Sequence, residues 1–369
     1  MSPRRRRLLA WLAGAPALAA SRPARATAEE DRIAAGRQLR FPRDHGAHPG
    51  ARIEWWYATG WLTGSGGALL GWQVTFFRSR TGVAGDLPGR FAPRQLLFAH
   101  AAVTDVTAQR HDHAQRIARW SGDEALPEAR AARADTRVAL GRWTFVRDAA
   151  SGAYTAALPA PEAGIALDLQ LTPSQPLLLQ GDAGFSRKGP QPQQASHYYT
   201  QPQLAARGRL RPGGPVLDGR GWLDHEWSDE LLAPGAVGWD WIGINLADGG
   251  ALTAFQLRRA DGSVVWAGGS HRPAGGAVRA FAPEEVVFTA QRRWASPATG
   301  ASYPVDWAIS TPAGRFTLRA LLDAQELDSR ASVGTVYWEG LAELLAPGGA
   351  RAGLGYLEMT GRVQALRLG

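Results

Sequence analysis

Two apolar, aromatic runs decide the fold, Glu54–Leu62 (EWWYATGWL) and Ala68–Arg78 (ALLGWQVTFFR). They are separated by Thr63-Gly64-Ser65-Gly66-Gly67, a glycine-rich segment typical of a hairpin turn. From residue 52 onward the hydrophobic pattern has mostly the two-residue period of β-strands. The sequence therefore predicts that these two runs pair as a β-hairpin.

Similar short runs continue along the chain, bounded by Gly, Pro and Asp turns. Helical patterning is scarce, and Asp123–Ala134 is the best candidate for a helix. Many short strands with regular turns are typical of a β-sandwich or a β-barrel. The further strand candidates include Gln95–Thr104, Thr136–Arg147, Tyr154–Leu158, Ile165–Thr172, Ala205–Leu210, Val216–Asp224, Trp239–Leu246, Ala251–Arg258, Phe316–Leu322, Val333–Leu341 and Gly355–Ala365.

The hairpin pattern recurs once, about half a chain length later. Trp55-x-Tyr57-x4-Leu62 followed by Gly66-Gly67-Ala68-Leu69 resembles Trp239-x-Trp241-x4-Leu246 followed by Gly249-Gly250-Ala251-Leu252. Such a repeat indicates two similar β-domains in tandem. A segment rich in glycine and proline near Leu204–Pro215 is the expected boundary. We therefore expect an all-β protein of two tandem antiparallel β-barrel domains, at residues 27–204 and 216–369.

Composition excludes several classes of protein. The 369 residues are 45% hydrophobic and 20% charged, the balance of a globular chain and not of a disordered one. With no cysteine, the chain has neither disulfides nor thiolate metal sites. Residues 1–26 hold six arginines and no acid, and the 35 basic and 33 acidic residues that remain nearly balance. We therefore expect no nucleic-acid partner, because that would need clustered basic residues on the folded body.

The first 26 residues have the pattern of a cleavable export signal. Arg4–Arg7 is a positive segment, Leu8–Ala20 is an apolar segment too short to span a bilayer comfortably, and Ala24-Arg25-Ala26 fits a cleavage site. Arg5-Arg6-Arg7-Leu8-Leu9 also fits a loose twin-arginine pattern. The alternative is an uncleaved anchor or a disordered basic tail. We expect a periplasmic or secreted protein.

A first group of candidate site residues lies before and within the first strand. Asp44-His45-Gly46-x-His48-Pro49 leads into Glu54-Trp55-Trp56-Tyr57. Imidazole and carboxylate groups can ligate zinc or iron, but a polar turn leading into a strand is the expected role, and we expect no metal. Alternation sends Glu54 and Trp56 to one face and Trp55 and Tyr57 to the other. Glu54 is either a desolvated acid beside a ligand or the partner of an arginine at the barrel rim.

A second group lies in Gly221-Trp222-Leu223-Asp224-His225-Glu226-Trp227-Ser228. Alternation places Asp224 and Glu226 on one face, where they could transfer protons as an acid pair. It places His225 and Trp227 on the other face. The alternative is a strand end whose charged residues meet solvent at the barrel mouth.

Aromatic side chains with polar neighbours complete the candidates. Tyr198 and Trp239-Asp240-Trp241 combine aromatic faces with polar tips, while His100 lies inside an apolar run and is more often a hydrogen-bonded core residue in such a place. The 15 tryptophans can fill small barrels or line a cavity for an apolar ligand, where they would stabilise a carbocation. No Gly-x-Ser-x-Gly elbow and no phosphate-binding glycine loop is present.

Several of these motifs together resemble the lipocalin-like family that includes AttH proteins and the carotenoid 1,2-hydratases. The resemblance covers about residues 41 to 361 and implies two lipocalin-like barrels. The matching stretches are Phe41-Pro42-Arg43-Asp44-His45-Gly46-x-His48-Pro49, Glu54-Trp55-Trp56-Tyr57-x-Thr59-Gly60, Phe98-Ala99-His100, Trp222-Leu223-Asp224-His225-Glu226-Trp227, Tyr337-Trp338-Glu339-Gly340 and Gly355-Tyr356-Leu357-Glu358-Met359-Thr360-Gly361.

The resemblance implies addition of water to an isolated double bond of an acyclic carotenoid, without a cofactor. His225 and Trp227 match the hydratase pattern most clearly. The hydratases also carry an aspartate near a tyrosine on a following strand, but Ala251–Leu257 contains neither. Asp224, Glu226 or Asp240 would then supply the proton.

We therefore expect an exported protein that encloses an apolar small molecule, an isoprenoid or another lipid. Asp224, His225, Glu226 and Asp240 are the candidate catalytic residues. One alternative is a non-catalytic periplasmic lipid carrier or accessory protein of an inner-membrane transporter, and another is a scaffold with filled barrels. The candidate ligand-binding residues are Glu54, Trp56, His100, Tyr198, Trp227, Trp239 and Trp241.

Overall fold

The structure, a computed structural model, describes residues 31–82, 93–125 and 128–366 of the chain. Over these ranges strands predominate, and the helices are four short 3-10 turns. None of the described helices is long and apolar enough to cross a membrane. The leader predicted at residues 1–26 lies outside the described residues. The 3-10 turns are Arg43–His45, Ser65–Gly67, Pro161–Ala163 and Pro283–Glu285.

Two large antiparallel sheets account for most of the described residues. The first sheet consists of β1 (Ile53–Thr63), β2 (Leu69–Arg80), β3 (Gln95–Asp105), β4 (Arg110–Trp120), β5 (Ala129–Ala131), β6 (Arg137–Leu140), β7 (Trp143–Arg147), β8 (Tyr154–Ala160), β9 (Ile165–Thr172), β10 (Leu178–Leu179), β11 (Phe185–Arg187), β12 (Ala195–Arg209) and β13 (Leu217–Ser228). The remaining strands are β14 (Gly238–Leu246), β15 (Ala251–Arg258), β16 (Val264–Arg272), β17 (Arg279–Phe281), β18 (Val287–Ala290), β19 (Arg293–Ala295), β20 (Ser302–Pro304), β21 (Asp306–Thr311), β22 (Gly314–Ala320), β23 (Glu326–Ser329), β24 (Thr335–Leu345) and β25 (Arg351–Met359). Strands β19 and β20 pair with each other, and the others form the second sheet.

The two sheets share one connectivity. In the first, the hairpin β1–β2 continues into β3, and the last strand β13 returns to pair with β1. In the second, the hairpin β14–β15 continues into β16, and the last strand β25 returns to pair with β14. Strands β4 and β5, at the two ends of the first sheet, contact each other, so this sheet is nearly closed. The predicted hairpins and the all-β antiparallel architecture are confirmed.

The division between the sheets comes later in the chain than the division predicted from sequence. Strand β13 pairs with β1 along its length, from Ile53 opposite Ser228 to Thr63 opposite Asp218. The first sheet therefore extends to Ser228, and the second begins at Gly238. Residues 204–215, predicted as the linker, contain the end of β12 and the turn into β13. Proline and glycine mark hairpin turns as readily as linkers, so their composition alone did not separate the two.

The predicted helix at Asp123–Ala134 is wrong over the described residues. Ala129–Ala131 form β5, which pairs with Val138–Leu140 of β6. The buried methyl groups of Ala129 and Ala131 pack into the core of the first sheet. Strand pairing and this packing outweigh the helical preference of the alanine-rich stretch, which is weak in comparison with tertiary contacts.

Each sheet encloses its own aromatic core. Trp72, Trp120 and Trp143 are fully buried in the first, and Trp307 and Trp338 are buried in the second. A third apolar cluster lies between the two sheets. Its fully or nearly buried members are Tyr57, Leu178, Trp222, Trp241, Ala251, Phe255, Leu257, Leu341 and Tyr356.

Candidate functional site

Strands β1 and β13 are paired so that directly opposed residues point to the same side of the sheet. Trp56 lies opposite His225, and both side chains point into the first sheet, where their rings stack with centroids 4.8 Å apart. Tyr57 lies opposite Asp224 on the other face, which is turned toward the second sheet. The predicted alternation of these residues is confirmed, and it separates the chemistry of β13 into two compartments.

A cavity of about 300 Å³ lies between the two sheets and not inside either barrel. Buried tryptophans fill the cores of both sheets, as in the alternative of filled barrels, and the space that could hold a ligand lies between the sheets. The cavity wall is formed by the strands that face each other across the junction, from β1 to β3, β12 to β15, β24 and β25. Its apolar lining consists mainly of Ile53, Trp55, Tyr57, Phe77, Leu96, Phe98, Leu231, Trp239, Trp241, Phe255 and Leu257.

Asp224 projects from β13 into this cavity and is buried. The Tyr198 hydroxyl donates to its Oδ2 over 2.8 Å, and the Thr200 hydroxyl donates to its Oδ1 over 2.5 Å. Both donors come from β12, the neighbouring strand. Burial raises the pKa of Asp224 to about 7, because these hydrogen bonds compensate only part of the lost hydration of the carboxylate. Asp224 can therefore carry a proton near neutral pH.

Glu226, two residues further along the same face, is held differently. Its Oε1 lies 2.9 Å from Lys188 Nζ and accepts a hydrogen bond from the Ser196 hydroxyl. The Lys188 ammonium lies over the rings of Phe255 and Tyr198, 4.2 and 4.9 Å from their centroids. Lys188 is thus the ion-pair partner of Glu226. The neighbouring carboxyls thus have different partners, because Asp224 accepts from two hydroxyls and Glu226 contacts an ammonium.

Two further acids reach the cavity from the second sheet. Glu339 of β24 and Glu358 of β25 are cross-strand partners, and both line the cavity. Burial raises the pKa of each carboxyl, and the negative charge of Glu358 raises that of Glu339 further. Gln73 Nε2 donates to Glu339 Oε2 over 2.7 Å. Sequence reasoning did not assign these two acids, although alternation in the motifs Tyr337-Trp338-Glu339 and Tyr356-Leu357-Glu358 placed each glutamate on the face of a tyrosine.

His225 belongs to a separate polar cluster inside the first sheet, together with Asp44, His48, Glu54 and Arg78. Glu54 Oε1 accepts from His225 Nε2 over 2.9 Å and from His48 Nδ1 over 2.8 Å, while Arg78 Nε donates to its Oε2 over 2.8 Å. Burial opposes ionisation of Glu54, but Arg78 and the two imidazoles hold its pKa well below the usual range. Glu54 is therefore the partner of an arginine, one of the two roles that the sequence left open, although its side chain also borders the cavity.

The ring protons in this cluster follow from its hydrogen bonds. Burial lowers the pKa of His225 to about 4, so it is neutral near pH 7, with Nε2–H toward Glu54 and Nδ1 accepting from the Tyr199 hydroxyl at 3.0 Å. His48 places Nδ1 on Glu54 and Nε2 on Asp44 Oδ1 at 3.0 Å. Each ring nitrogen of His48 therefore contacts a carboxylate oxygen. The His48 ring stacks on Trp227 with 3.7 Å between centroids.

Ligand atoms of His48, Glu54 and His225 lie within 4.8 Å of one another, as a metal ion would require. The donor chemistry does not fit one. Both His48 nitrogens contact carboxylates, His225 directs its Nε2–H at Glu54, and the Arg78 guanidinium occupies the other oxygen of Glu54. The cluster is a network of ion pairs and hydrogen bonds, and we assign it no metal.

Asp240 lies away from the cavity. Its side chain lies on the interior face of the second sheet. There it forms ion pairs with Arg258 Nε at 3.3 Å and Arg362 Nη2 at 2.5 Å, and Gln256 Nε2 donates to its Oδ2. Alternation explains this, because Trp239 and Trp241 on either side of Asp240 both line the cavity. Asp240 is an ion-paired residue of the second sheet and not a proton donor to the cavity.

The predicted site residues thus fall into two groups. Asp224, Glu226, Glu54, Tyr198, Trp239 and Trp241 line the cavity. His225, Trp56 and Trp227 pack inside the first sheet, and Asp240 lies in the second. His100 lies beside the cavity, where its Nδ1 is 2.6 Å from the hydroxyl of the lining residue Tyr337 and its Nε2 is 2.8 Å from Ser332.

Asp224 and Tyr198 form an aspartate–tyrosine pair, although the strand after Gly249–Gly250 contains neither type of residue. The resemblance implies such a pair on a following strand, whereas Asp224 of β13 contacts Tyr198 of the preceding strand, β12. The spacing along the chain concealed it, because β12 and β13 bring residues 26 positions apart into contact.

Comparisons with known proteins identify a family and solved structures that share this fold. A sequence profile described as AttH-like matches residues 32–362. A protein described as an AttH from Nitrosomonas europaea is 46% identical, with a TM-score of 0.81 over 90% of this chain and 99% of that one. Kievitone hydratase from Nectria haematococca shares the fold at 13% identity, with a TM-score of 0.67 over 88% of this chain and 93% of that one. A search of curated proteins gave no match. The lipocalin-like fold predicted from the sequence is thereby confirmed.

Proposed function

This chain belongs to the AttH-like family, and we propose that it binds an apolar, alkene-bearing isoprenoid or other lipid between its two sheets and adds water to the double bond without a cofactor. The proposal is supported by a fold shared with a hydratase and by the chemistry of the cavity. The single observation that carries it is Asp224, a buried acid with a pKa raised to about 7 in an aromatic cavity.

Asp224 is the general acid of the proposed reaction. Its carboxyl proton is transferred to the less substituted alkene carbon, which leaves a tertiary carbocation and the Asp224 carboxylate. A water molecule adds to the cation, and the proton that this water then loses returns to Asp224. One alkene and one water give one tertiary alcohol, and the acid is regenerated.

The cavity wall would stabilise the charged intermediate. Trp239, Trp241 and Phe255 present aromatic rings to the space in front of Asp224, and each ring face attracts a desolvated cation by roughly 0.5–2 kcal/mol. Glu226 remains paired with Lys188 and keeps its charge away from the proton transfer. His225 faces the opposite compartment, so it acts through the packing of β13 and not on the substrate.

The test uses a panel of acyclic isoprenoid alkenes incubated with the purified protein in H₂¹⁸O. We expect a tertiary alcohol that contains ¹⁸O. Asp224→Asn should reduce its formation by about 10²–10⁴-fold while quenching of tryptophan fluorescence by the alkene is retained. Asp218→Asn, at an exposed position of the same strand, is the matched control and should react like the native chain.

Undiminished alcohol formation by Asp224→Asn would show that the proton comes from elsewhere. Quenching by the alkenes with no labelled product from the native chain would favour the alternative, a lipid carrier or an accessory of an inner-membrane transporter. Fluorescence unchanged by every apolar compound would contradict ligand binding itself.

Export is a second part of the proposal. The leader pattern at residues 1–26 supports a periplasmic or secreted protein. Mass spectrometry of the protein from the periplasmic fraction of an expressing host should give a chain that begins after Ala26. Replacement of Arg5 and Arg6 by lysine should block export if the twin-arginine route is used, and should leave it intact if the general secretory route is used. A full-length chain confined to the cytoplasm would contradict export.

A further inference from the structure

Lys188 is the sole lysine of the 369-residue chain, whose other 40 basic side chains are arginines. It is 4% exposed and lines the cavity between the sheets. Replacing buried ion pairs by apolar residues is often neutral or stabilising, so packing alone does not call for a lysine here. A compact ammonium on a flexible stem is suited to contact a ligand in a narrow space, where a planar guanidinium would not fit equally well.

The backbone around Lys188 holds the ammonium in place. Lys188 N donates to Gln194 O over 2.7 Å, directly after β11. The next residue, Gly189, packs so closely that a Cβ there would lie 2.2 Å from Gln194 Oε1 and 2.9 Å from Ala233 Cβ. The segment is thus pressed against its neighbours, and the Lys188 side chain extends from it toward Glu226 and the ring of Phe255.

The ammonium has more donors than the protein uses. Among the described residues its ion-pair partner is Glu226, at 2.9 Å from Nζ, whereas an ammonium carries three N–H donors. The faces of Phe255 and Tyr198 contact the cation but offer no oxygen acceptor. A ligand oxygen beside Nζ would gain a charge-assisted hydrogen bond in a site shielded from water, where such bonds are strong.

The charge of the surrounding groups selects the type of oxygen. Glu226 already balances Lys188, and burial favours the neutral acids at Asp224, Glu339 and Glu358. A carboxylate or phosphate on the ligand would therefore add an uncompensated negative charge next to Glu226. A neutral acceptor, such as a ketone or hydroxyl oxygen, would not.

We propose that Lys188 and Glu226 form a subsite for a neutral oxygen function, so that the ligand is an oxygenated isoprenoid and not a pure hydrocarbon. The ligand oxygen accepts from Lys188 Nζ, and a hydroxyl can in addition donate to Glu226. The apolar chain extends along Trp239 and Trp241, which line the same cavity. This inference rests on the proposed binding of an isoprenoid between the sheets and specifies its chemical class.

The test compares four ligands that share one acyclic isoprenoid chain and end in a hydrocarbon, a methyl ketone, a primary alcohol or a carboxylate. Dissociation constants come from tryptophan quenching of the full chain. We expect the ketone and the alcohol to bind about 10-fold or more tightly than the hydrocarbon, and the carboxylate to bind less tightly than the ketone. Equal affinities for all four, or tightest binding of the carboxylate, would overturn the proposal.

Variants assign the difference to the lysine. Lys188→Met should abolish the preference for the ketone over the hydrocarbon. Because this change leaves Glu226 without its cation, the double variant Lys188→Met/Glu226→Gln is measured as well, and it should show the same loss. Arg220→Met, which removes an exposed cation from β13, is the matched control and should retain the preference. A preference that survives in the double variant would refute the subsite.

The outcome is separable from that of the hydration proposal. Binding is also measured in Asp224→Asn, which should form no alcohol but retain the preference for oxygenated ligands. Failure of hydration with the preference intact would therefore leave the subsite standing. Hydration of hydrocarbons and ketones at equal efficiency, with no effect of Lys188→Met on either, would reject the subsite and leave the hydratase.

Discussion

Asp224 and His225 are neighbours in the chain, yet their side chains lie in different compartments. Asp224 faces the cavity between the sheets, with Tyr198 on its Oδ2, while His225 is bound to Glu54 inside the first sheet. The strand separates them, so the imidazole does not contact a ligand in the cavity. The motif Asp224-His225-Glu226 therefore combines two acids for the cavity with one histidine for the scaffold.

The stability of the protein should respond to Asp224 in a pH-dependent way. Between the ordinary aspartate pKa of 3.8 and about 7, the folded chain binds this proton more tightly than the unfolded chain. The contribution of Asp224 to the free energy of unfolding therefore falls as the pH rises through this window. Asp224→Asn should match the native chain at pH 4 and exceed it by up to about 4 kcal/mol at pH 8.5, as measured by urea unfolding. Equal differences at both pH values would contradict a buried, proton-retaining Asp224.

The rate of the proposed hydration should depend on the protonation of Asp224. A general acid works only when protonated, so we expect kcat/KM to be constant in mild acid and to fall about tenfold per pH unit above about pH 7. The measurement is initial alcohol formation between pH 5 and 9. A rate that rises with pH would indicate a general base as the essential group.

Arg78 should be far more important for stability than its surface neighbour. It is 1% exposed, binds Glu54 through Nε and also donates to the carbonyl oxygens of His48 and Ala51. Arg78→Met leaves the Glu54 carboxylate buried without its guanidinium and should lower the free energy of unfolding by roughly 3–5 kcal/mol. Arg80→Met, two residues along β2 and exposed, should change it by about 0.5 kcal/mol or less. Similar values for the two variants in urea unfolding would count against the buried ion pair.

A methyl group at Gly243 should disturb the aromatic wall of the cavity. A Cβ there would lie 2.4 Å from Trp241 Cη2 and 2.9 Å from Trp222 Cε2. Gly243→Ala should therefore displace Trp241, destabilise the fold by roughly 1–3 kcal/mol and weaken alkene quenching. Gly64→Ala is the control, because its nearest neighbour would be 3.6 Å away. Native-like alkene binding by Gly243→Ala would show that the cavity wall accommodates the methyl group without losing affinity for the alkene.

Local patterns were sufficient to predict the hairpins, the all-β class and the faces of β1 and β13. The same alternation applied to Trp239 and Trp241 would have excluded Asp240 from the cavity. If both tryptophans line the cavity, the residue between them points to the opposite face of the strand. Short-range periodicity cannot show which sheet a strand joins. That β13 closes the first sheet depends on pairing with β1, about 165 residues earlier in the chain.

The composition of the cavity was less accessible from sequence. Glu339 and Glu358 meet Asp224 only because the two sheets dock, and nothing in a one-dimensional pattern measures docking. Lys188 lies in a polar, proline-rich stretch that resembles an ordinary loop. Its being the sole lysine was visible, but only the fold shows that it is buried beside Glu226.

The location of the cavity at the junction has an evolutionary consequence. Both cores are complete without it, so substitutions at the wall leave the packing that holds each half together largely intact. Residues along this junction can therefore change, and with them the bound molecule or the reaction, while selection for folding acts on the two cores.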